Sequence, residues 1–396
     1  MARSPEYIVE LLDSSLKPLA RVKGFYPLPS KRLIEYGDQL SAVAKARFRV
    51  STQDPLFDGT GDIFAPWTNH VRITRAGVLV WQGIVTRNPH RTHHFVEVEA
   101  STYTAWFEKV LVKHSVSVAA GDGKDHYRTF NSGTMGLAIT AILQETKAKF
   151  PAGHPMASLV IGQIDNPNFP PGYVKADGVT PLTGPWVFGP DMTVQYDYKT
   201  ALYILTSLGI YGQCDFRVIP STDLSGKLTL TFEFKQFIGK RQPELMFEYG
   251  TYGTILDYDL PQDGARMVNQ LTGVAVDPIT GAYITAVKTD TVSVAKYGLL
   301  EGVAAFSDVK NANVLTTRLT ETLRFISTPN AEVNVDLGDN AYPLGTWGVG
   351  DIVTIKVKDR FVKHQSLRRI VAYKIKVAVN GEESVNQSTN VPRANQ

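Results

Sequence analysis

The feature that most restricts the fold of this chain is a repeated alternation of apolar and polar residues in short segments, each ended by turn-forming residues. Residues 71–75 and 78–85 alternate on either side of a turn that contains Gly77, and residues 95–100 continue the pattern. A period of two puts one set of side chains on each face of a β-strand. Five or six such strands predict that residues 1–112 form a first domain that curls into a β-barrel or sandwich.

The pattern changes near residue 113, where two segments carry apolar residues at helical spacing. One helix is predicted from Met135 to Lys149, after a capping Ser132 or Thr134, and a second from Tyr198 to Leu208. Strand-like segments follow, so residues 113–262 are predicted to form an α/β domain. Within it, residues 151–190 hold eight prolines and six glycines, which is typical of an extended arm, an insertion or a loop ordered by a partner.

The last third again combines strands with a helix. Residues 263–381 are predicted to form a second β-barrel-like domain with an inserted helix at about 308–326. Residues 382–396 are polar and are predicted to be a flexible tail. A length of 396 residues suits two or three domains. The predicted fold class is therefore α+β and mainly β, with two β-barrel-like domains and α/β insertions.

Composition limits the function classes. The chain has 32 glycines and 22 prolines, which favours a turn-rich β protein. Its formal net charge of +3 is too small to indicate a protein that binds nucleic acid or membranes through its overall charge. Cys214 is the only cysteine, so an internal disulfide and a thiolate zinc cluster are excluded, and we interpret it as a small buried apolar residue.

The first apolar stretch is interrupted by Glu10 and stopped by Asp13, so it is too short for a secretory signal. No run of 18 apolar residues occurs, and no integral membrane segment is predicted. We expect the chain to be made and folded in a cytoplasm.

Few residues suggest catalysis. His90, His93 and His94 offer three imidazoles for a metal, but they lie where a polar hairpin loop is expected and no carboxylate is nearby in the sequence. Asp257 and Asp259 share one face of a strand, as a hydrolase pair would, although exposed acids of this kind are more often solvated or bonded to a partner. No nucleophile elbow, phosphate loop or zinc-protease motif is present. We therefore predict no catalytic, cofactor or metal site and no enzyme activity.

The strongest charge pattern lies near the C-terminus, where residues 356–376 contain eight basic residues and one acid. A hairpin would align five of them as a basic stripe, namely Lys356, Lys358, Arg360, Lys374 and Lys376. The stripe suits an acidic protein surface or nucleic acid in transit. It equally suits a solvated face that discourages aggregation at a sheet edge.

Four short stretches occur in an order and spacing that is familiar from one family: residues 71–85, 269–276, 297–301 and 344–353. The first is two strands around a glycine turn, the third has a Tyr-Gly-x-x-Glu pattern, and the last contains the start of a Gly-Asp-x-Val strand. By these stretches the chain resembles the tail hub, or baseplate hub, proteins of tailed bacteriophages. The resemblance is strongest to minor tail proteins of long-tailed phages that infect actinobacteria.

This resemblance implies two β-barrel domains side by side with α/β domains attached. It also implies a homotrimeric ring with pseudo-sixfold character at the tail tip of the virion, made in the host cytoplasm. Such a ring would join the distal tail protein to tip or fibre proteins and surround the passage for the tape measure protein and phage DNA. Two alternatives remain open: a cell-wall hydrolase of the tail tip, and a carbohydrate-binding adhesin that stacks sugars on Tyr173, Trp186 and Phe188.

Overall fold

The structure is a computed structural model. Strands hold 47% of the residues and helices 19%, so the predicted mainly β fold class is confirmed. Within the part of the chain that the structure describes, no helix is both long and apolar enough to span a membrane. The described residues are 5–58, 62–112, 127–130, 132–169, 180–188, 194–197, 199–222, 228–251, 253–260, 264–276, 281–306, 309, 312–328, 333–338, 341–360 and 362–392.

The first β unit consists of seven strands, each antiparallel to its neighbours, in the order β2-β1-β5-β6-β7-β4-β3. Alternate side chains of these strands face a shared apolar core that includes Val9, Phe48 and Ile73, as the period-two pattern predicts. The strands are β1 Tyr7–Leu12, β2 Pro18–Arg21, β3 Arg32–Gln39, β4 Lys45–Ser51, β5 His70–Arg75, β6 Val78–Arg87 and β7 Phe95–Ser101.

The middle unit packs two helices against a three-stranded sheet of order β11-β12-β9, with a separate β10-β8 ladder. Thr134 and Thr200 cap the two helices, because each side chain accepts a hydrogen bond from an amide of the first turn. The predicted helices are both present, the second shifted by a few residues. The elements are β8 Tyr127–Phe130, α1 Met135–Ala148, β9 Val160–Ile164, β10 Val194–Asp197, α2 Ala201–Gly212, β11 Asp215–Thr222 and β12 Leu228–Lys235.

The last third contains a small α/β unit inserted between strands of a second β unit. In the insertion, a sheet of order β16-β15-β17 packs one face against a helix. The elements from here to the C-terminus are β13 Arg241–Tyr249, β14 Ile255–Asp259, β15 Gln270–Val276, β16 Tyr283–Thr289, α3 Thr291–Tyr297, β17 Glu301–Ala305, α4 Ala312–Ile326, β18 Val333–Leu337, β19 Ile352–Lys358, β20 Lys363–Ala378 and β21 Glu383–Asn390.

Six strands close the second barrel. Each pairs with the next in the ring β13-β14-β18-β21-β20-β19, and β19 pairs back to β13. The 16-residue β20 also pairs with β3 of the first unit through residues 372–378. One long strand therefore belongs to both β units and joins them in a single sheet of 13 strands among the described residues.

Strand pairing differs from the predicted division of the chain in two places. Residues 241–259, predicted as part of the middle domain, supply β13 and β14 of the second barrel. Residues 383–390, predicted as part of a flexible tail, form β21 between β18 and β20, so the prediction of a flexible tail was wrong there. The polar sequence of β21 gives no strand pattern, because backbone hydrogen bonds to two neighbouring strands stabilise this strand. The other domain boundaries stay a prediction.

Candidate interaction surfaces and the buried junction

A buried ion pair lies where the middle unit meets both β units. Arg369 of β20 donates from Nη1 to Oδ2 of Asp215 at the start of β11, at 2.6 Å, and both side chains are almost fully buried. The guanidinium also donates to the carbonyls of Ile238 and Gly350, at 3.0 and 3.1 Å. Ser41, in the turn after β3, donates to Asp215. Since every part of this junction comes from a different segment, the pair fixes the units relative to one another.

Two glycines make room for these carbonyls. Gly239 and Gly350 both have left-handed backbone conformations, with φ values of 113° and 96°. A Cβ on Gly350 would lie 2.1 Å from the Ile238 oxygen, and one on Gly239 would lie 2.3 Å from the Gly350 carbonyl carbon. The neighbouring Asp351 accepts amide hydrogen bonds from Lys240 and Gly348. Gly350 and Asp351 form the Gly-Asp pair of residues 344–353, one of the four stretches that carry the family resemblance. They therefore hold the β12–β13 loop beside Arg369.

We expect Gly350→Ala to lower the free energy of unfolding by at least about 2 kcal/mol, because it adds left-handed strain and a backbone clash. Gly345→Ala is a matched control, since Gly345 also has a positive φ of 99° but meets nothing within 4 Å. Urea unfolding followed by circular dichroism measures both. Equal losses in the two variants would show that strain alone matters and that the close approach does not.

A groove of about 280 Å³ opens above this ion pair. Its exposed apolar lining side chains are Ile210, Phe325 and Val391. Its polar floor is formed by Asp215 and Arg369, which already bond to each other. We therefore assign the pair a structural role at this junction.

The predicted basic stripe divides into two groups. Lys356 of β19 lies opposite Gln365 of β20, nine positions before Lys374, which is about 30 Å along a strand. Lys374 and Lys376 instead face β3 and β21. The expectation of one continuous stripe was wrong, because the hairpin register pairs β19 with residues 363–369 and leaves Lys374 beyond it.

Two lysines of the predicted stripe form ion pairs within the chain. Lys356 pairs with Glu248, and Lys374 pairs with Glu35. Lys358 is exposed at the end of β19, opposite Lys363, and Arg360 is exposed in the following turn. A role of these basic residues in binding a partner stays a prediction.

The candidate chemical residues lie at the surface and do not converge on one site. His90, His93 and His94 are exposed, and the described residues contain no group of three potential ligands placed to hold a metal ion. Asp257 and Asp259 are exposed on the outer face of β14, opposite Asp336 and Asn334 of β18.

The aromatic residues proposed for sugar stacking behave differently. Trp186 and Phe188 are buried in the core of the middle unit and contact other aromatic rings, so the expectation that they are exposed was wrong. They are buried because helices α1 and α2 pack over them. Tyr173 lies outside the described residues. Cys214 is buried, as its apolar neighbours predict.

A buried histidine is a further group that sequence analysis missed. His70 of β5 is 1% exposed and lies near Tyr103, Trp106 and His154 where the first β unit meets the middle unit. Its Nδ1 has no hydrogen-bond partner among the described residues. Burial, with a smaller effect of His154, lowers the pKa of His70 to about 4. The residues next to His70 in the sequence belong to an alternating strand, and they do not indicate that His70 is buried.

The architecture of two joined β units with α/β units attached is shared with solved tail proteins, so the predicted resemblance to phage tail proteins is confirmed at the level of the fold. The tail protein from Neisseria meningitidis superposes with a TM-score of 0.54 at 12% identity, over 97% of this chain and 96% of that one. The 43 kDa tail protein of prophage MuSo2 from Shewanella oneidensis gives 0.53 at 13% identity, over 97% and 98% of the two chains.

A prophage tail protein from Listeria monocytogenes gives a TM-score of 0.51 at 13% identity, over 97% of this chain and 94% of that one. No family model matches the sequence. No curated protein matches it either. The likeness is therefore one of fold along nearly the whole chain, with little sequence identity.

Proposed function

We propose that this protein is a structural component of a phage tail tip, which forms a trimeric hub ring in the virion. The observation that carries the proposal is the shared fold over 97% of the chain with tail proteins of similar length. Fold alone does not define function, but here it agrees with four stretches of hub-like sequence in the right order. We infer no enzymatic role.

The junction supports a role as a rigid building block. β20 runs through both β units, and the buried pair of Asp215 and Arg369 ties the middle unit to them. Three copies would place six β units around one axis, which suits a ring that joins a threefold tip to sixfold tail rings. In this proposal the ring contacts the distal tail protein and tip or fibre proteins, and the tape measure protein and phage DNA pass through it.

No residue-level observation favours the alternative functions. The acids proposed for a hydrolase lie on an exposed strand face, and two of the aromatic residues proposed for an adhesin are buried.

If the proposal is correct, the purified chain is expected to sediment at three times its monomer mass of 43.6 kDa at high concentration, or when the distal tail ring is added. Sedimentation velocity over a range of concentrations measures this, with a globular monomer of similar mass as the reference. A chain that stays monomeric at every concentration, with and without the distal tail ring, would contradict the ring.

A further inference from the structure

The hairpin between β20 and β21 has at its tip an Asn-Gly pair that occurs nowhere else in the sequence, Asn380 and Gly381. The Gly381 amide donates to the carbonyl of Ala378 at 2.9 Å, and the Ala378 amide donates to the carbonyl of Glu382 at 2.8 Å. Gly381 has a positive φ of 84°, which is typical of the last residue in a three-residue hairpin loop. Asn380 is exposed, so a solvated carboxamide lies directly before a glycine amide.

The side chain of Asn380 is turned towards the amide nitrogen that can attack it. Its Oδ1 accepts a hydrogen bond from the backbone N–H of Glu382, two residues further on, at 3.2 Å. This bond closes a ring of atoms that includes the Gly381 nitrogen, so the side-chain carbon Cγ lies on the same side of the backbone as that nitrogen. The Glu382 N–H also points at the oxygen on which negative charge develops when a nucleophile adds to Cγ, which favours the addition.

Two features of Gly381 decide how readily its nitrogen reacts. Glycine has no Cβ, so the peptide unit between Asn380 and Gly381 can rotate towards the geometry of attack with little steric cost. The hydrogen bond from Gly381 to Ala378 opposes attack, because it must open before the nitrogen can reach Cγ. A single hydrogen bond at an exposed hairpin tip opens often in a folded chain, so this bond slows the reaction without preventing it.

We propose that Asn380 is a site of spontaneous deamidation and that the product loosens the contact between β21 and the first β unit. The Gly381 nitrogen loses its proton to hydroxide and bonds to Cγ of Asn380, and the side-chain nitrogen leaves as ammonia with a proton from water. Water then opens the resulting cyclic succinimide at one of its carbonyls. Opening at Cγ gives aspartate, whereas opening at the main-chain carbonyl gives isoaspartate, whose main chain runs through Cβ and Cγ.

Isoaspartate has a structural consequence because of a residue that closely follows the tip. Glu383 accepts a hydrogen bond from the Tyr7 hydroxyl of β1 at 2.8 Å, and two from the Arg75 guanidinium of β5 at 2.7 and 3.1 Å. This carboxylate holds the start of β21 against two strands of the first β unit. Loop length fixes the register of a hairpin, so an extra main-chain carbon in the loop displaces Glu383 from these partners.

The first test is chemical and uses the full folded chain. Samples are kept at pH 7 and at pH 8 and digested at intervals, and mass spectrometry measures the fraction of Asn380 that has lost its amide. Asn390 is the internal control, because it is also exposed but precedes Val391, whose β-branched side chain hinders its nitrogen. We expect conversion to be at least roughly tenfold faster at Asn380 than at Asn390, and faster at pH 8 than at pH 7.

Asn380→Gln is the matched variant, because its longer side chain keeps the amide but must close a larger ring. Its conversion is expected to be at least roughly tenfold slower than that of the wild type. Conversion at Asn380 that is no faster than at Asn390 would overturn the proposed site. Conversion of the wild type only in urea would also overturn it, since the folded turn would then protect Asn380.

The second test measures the contact made by Glu383. Hydrogen–deuterium exchange of the β1 amides is compared in aged wild type, aged Asn380→Gln and fresh Asn380→Asp, with Glu383→Gln as the reference for a weakened contact. We expect exchange in the isoaspartate fraction of the aged wild type to be at least about tenfold faster than in the two Asn380 variants. Asn380→Asp carries the new charge without the longer main chain.

The outcomes of this comparison are distinct. Fast exchange in the isoaspartate fraction and in Glu383→Gln alone supports the proposed loosening. Equal exchange in aged wild type and aged Asn380→Gln would overturn the loosening, and only the site of deamidation would stand. Fast exchange in fresh Asn380→Asp as well would assign the effect to charge and overturn the role of the longer main chain.

Discussion

Replacing Arg369 with methionine is expected to lower the free energy of unfolding by about 3–5 kcal/mol. The substitution leaves the carboxylate of Asp215 buried without its cation and removes the donors to the carbonyls of Ile238 and Gly350. An unpaired buried charge costs much more than a lost surface contact, because the protein interior screens it poorly. Urea unfolding followed by circular dichroism measures the loss.

Two further variants make this test specific. Adding Asp215→Asn to Arg369→Met removes the buried carboxylate charge, so the double variant is expected to regain part of the stability. Lys356→Met breaks the more exposed pair with Glu248 and is expected to cost only about 0–1 kcal/mol. If Arg369→Met costs no more than Lys356→Met, the buried pair does not hold the units together.

Lowering the pH from 7 to 4.5 is expected to destabilise the protein through His70. The folded protein keeps this imidazole neutral because burial lowers its pKa to about 4, whereas the unfolded chain takes up a proton near the ordinary value of about 6.5. The unfolded state therefore binds more protons between these two values, and stability falls as the pH falls through this window. A difference of this size corresponds to about 3 kcal/mol, most of which is lost above pH 4.5.

The variant His70→Asn lacks this imidazole, so its stability is expected to change less with pH between 6.5 and 4.5. Burial also lowers the pKa of His154 and of His364, and these two histidines keep the rest of the slope. His93→Asn, at an exposed position, serves as the control and should keep the slope of the wild type. Glu97 acts at lower pH: burial raises its pKa, but hydrogen bonds from Arg49 and Arg47 outweigh this effect and leave the pKa lowered. Equal slopes for His70→Asn and the wild type would contradict the assignment.

Local patterns in the sequence correctly predicted many elements. The alternation around Gly77 predicts β5 and β6, and these strands pair as an antiparallel hairpin. Thr134 before an apolar helical pattern predicts α1, and its side chain caps that helix. Such signals succeed because they depend on contacts between residues that are close in the chain.

The same reasoning failed where distant segments decide the outcome. β21 is polar and becomes a strand because β18 and β20 offer backbone partners on both sides. Arg369 is one of the eight basic residues of segment 356–376, and it is buried because Asp215, which lies 154 positions away, supplies the opposite charge. The sequence likewise did not show which face of the sheet β16-β15-β17 helix α4 covers, because alternation does not reveal which face of a sheet packs against a helix.

Local patterns in the sequence are enough to predict that this chain is turn-rich and mainly β and where most of its strands and helices lie, because period, caps and turn chemistry are local properties. The three-dimensional fold is needed to see that β20 belongs to both β units, that Arg369 is buried against Asp215, and that the lysines of the predicted stripe lie in two groups. These features depend on strand register and on contacts between segments far apart in the chain, and a single sequence does not specify either of them locally.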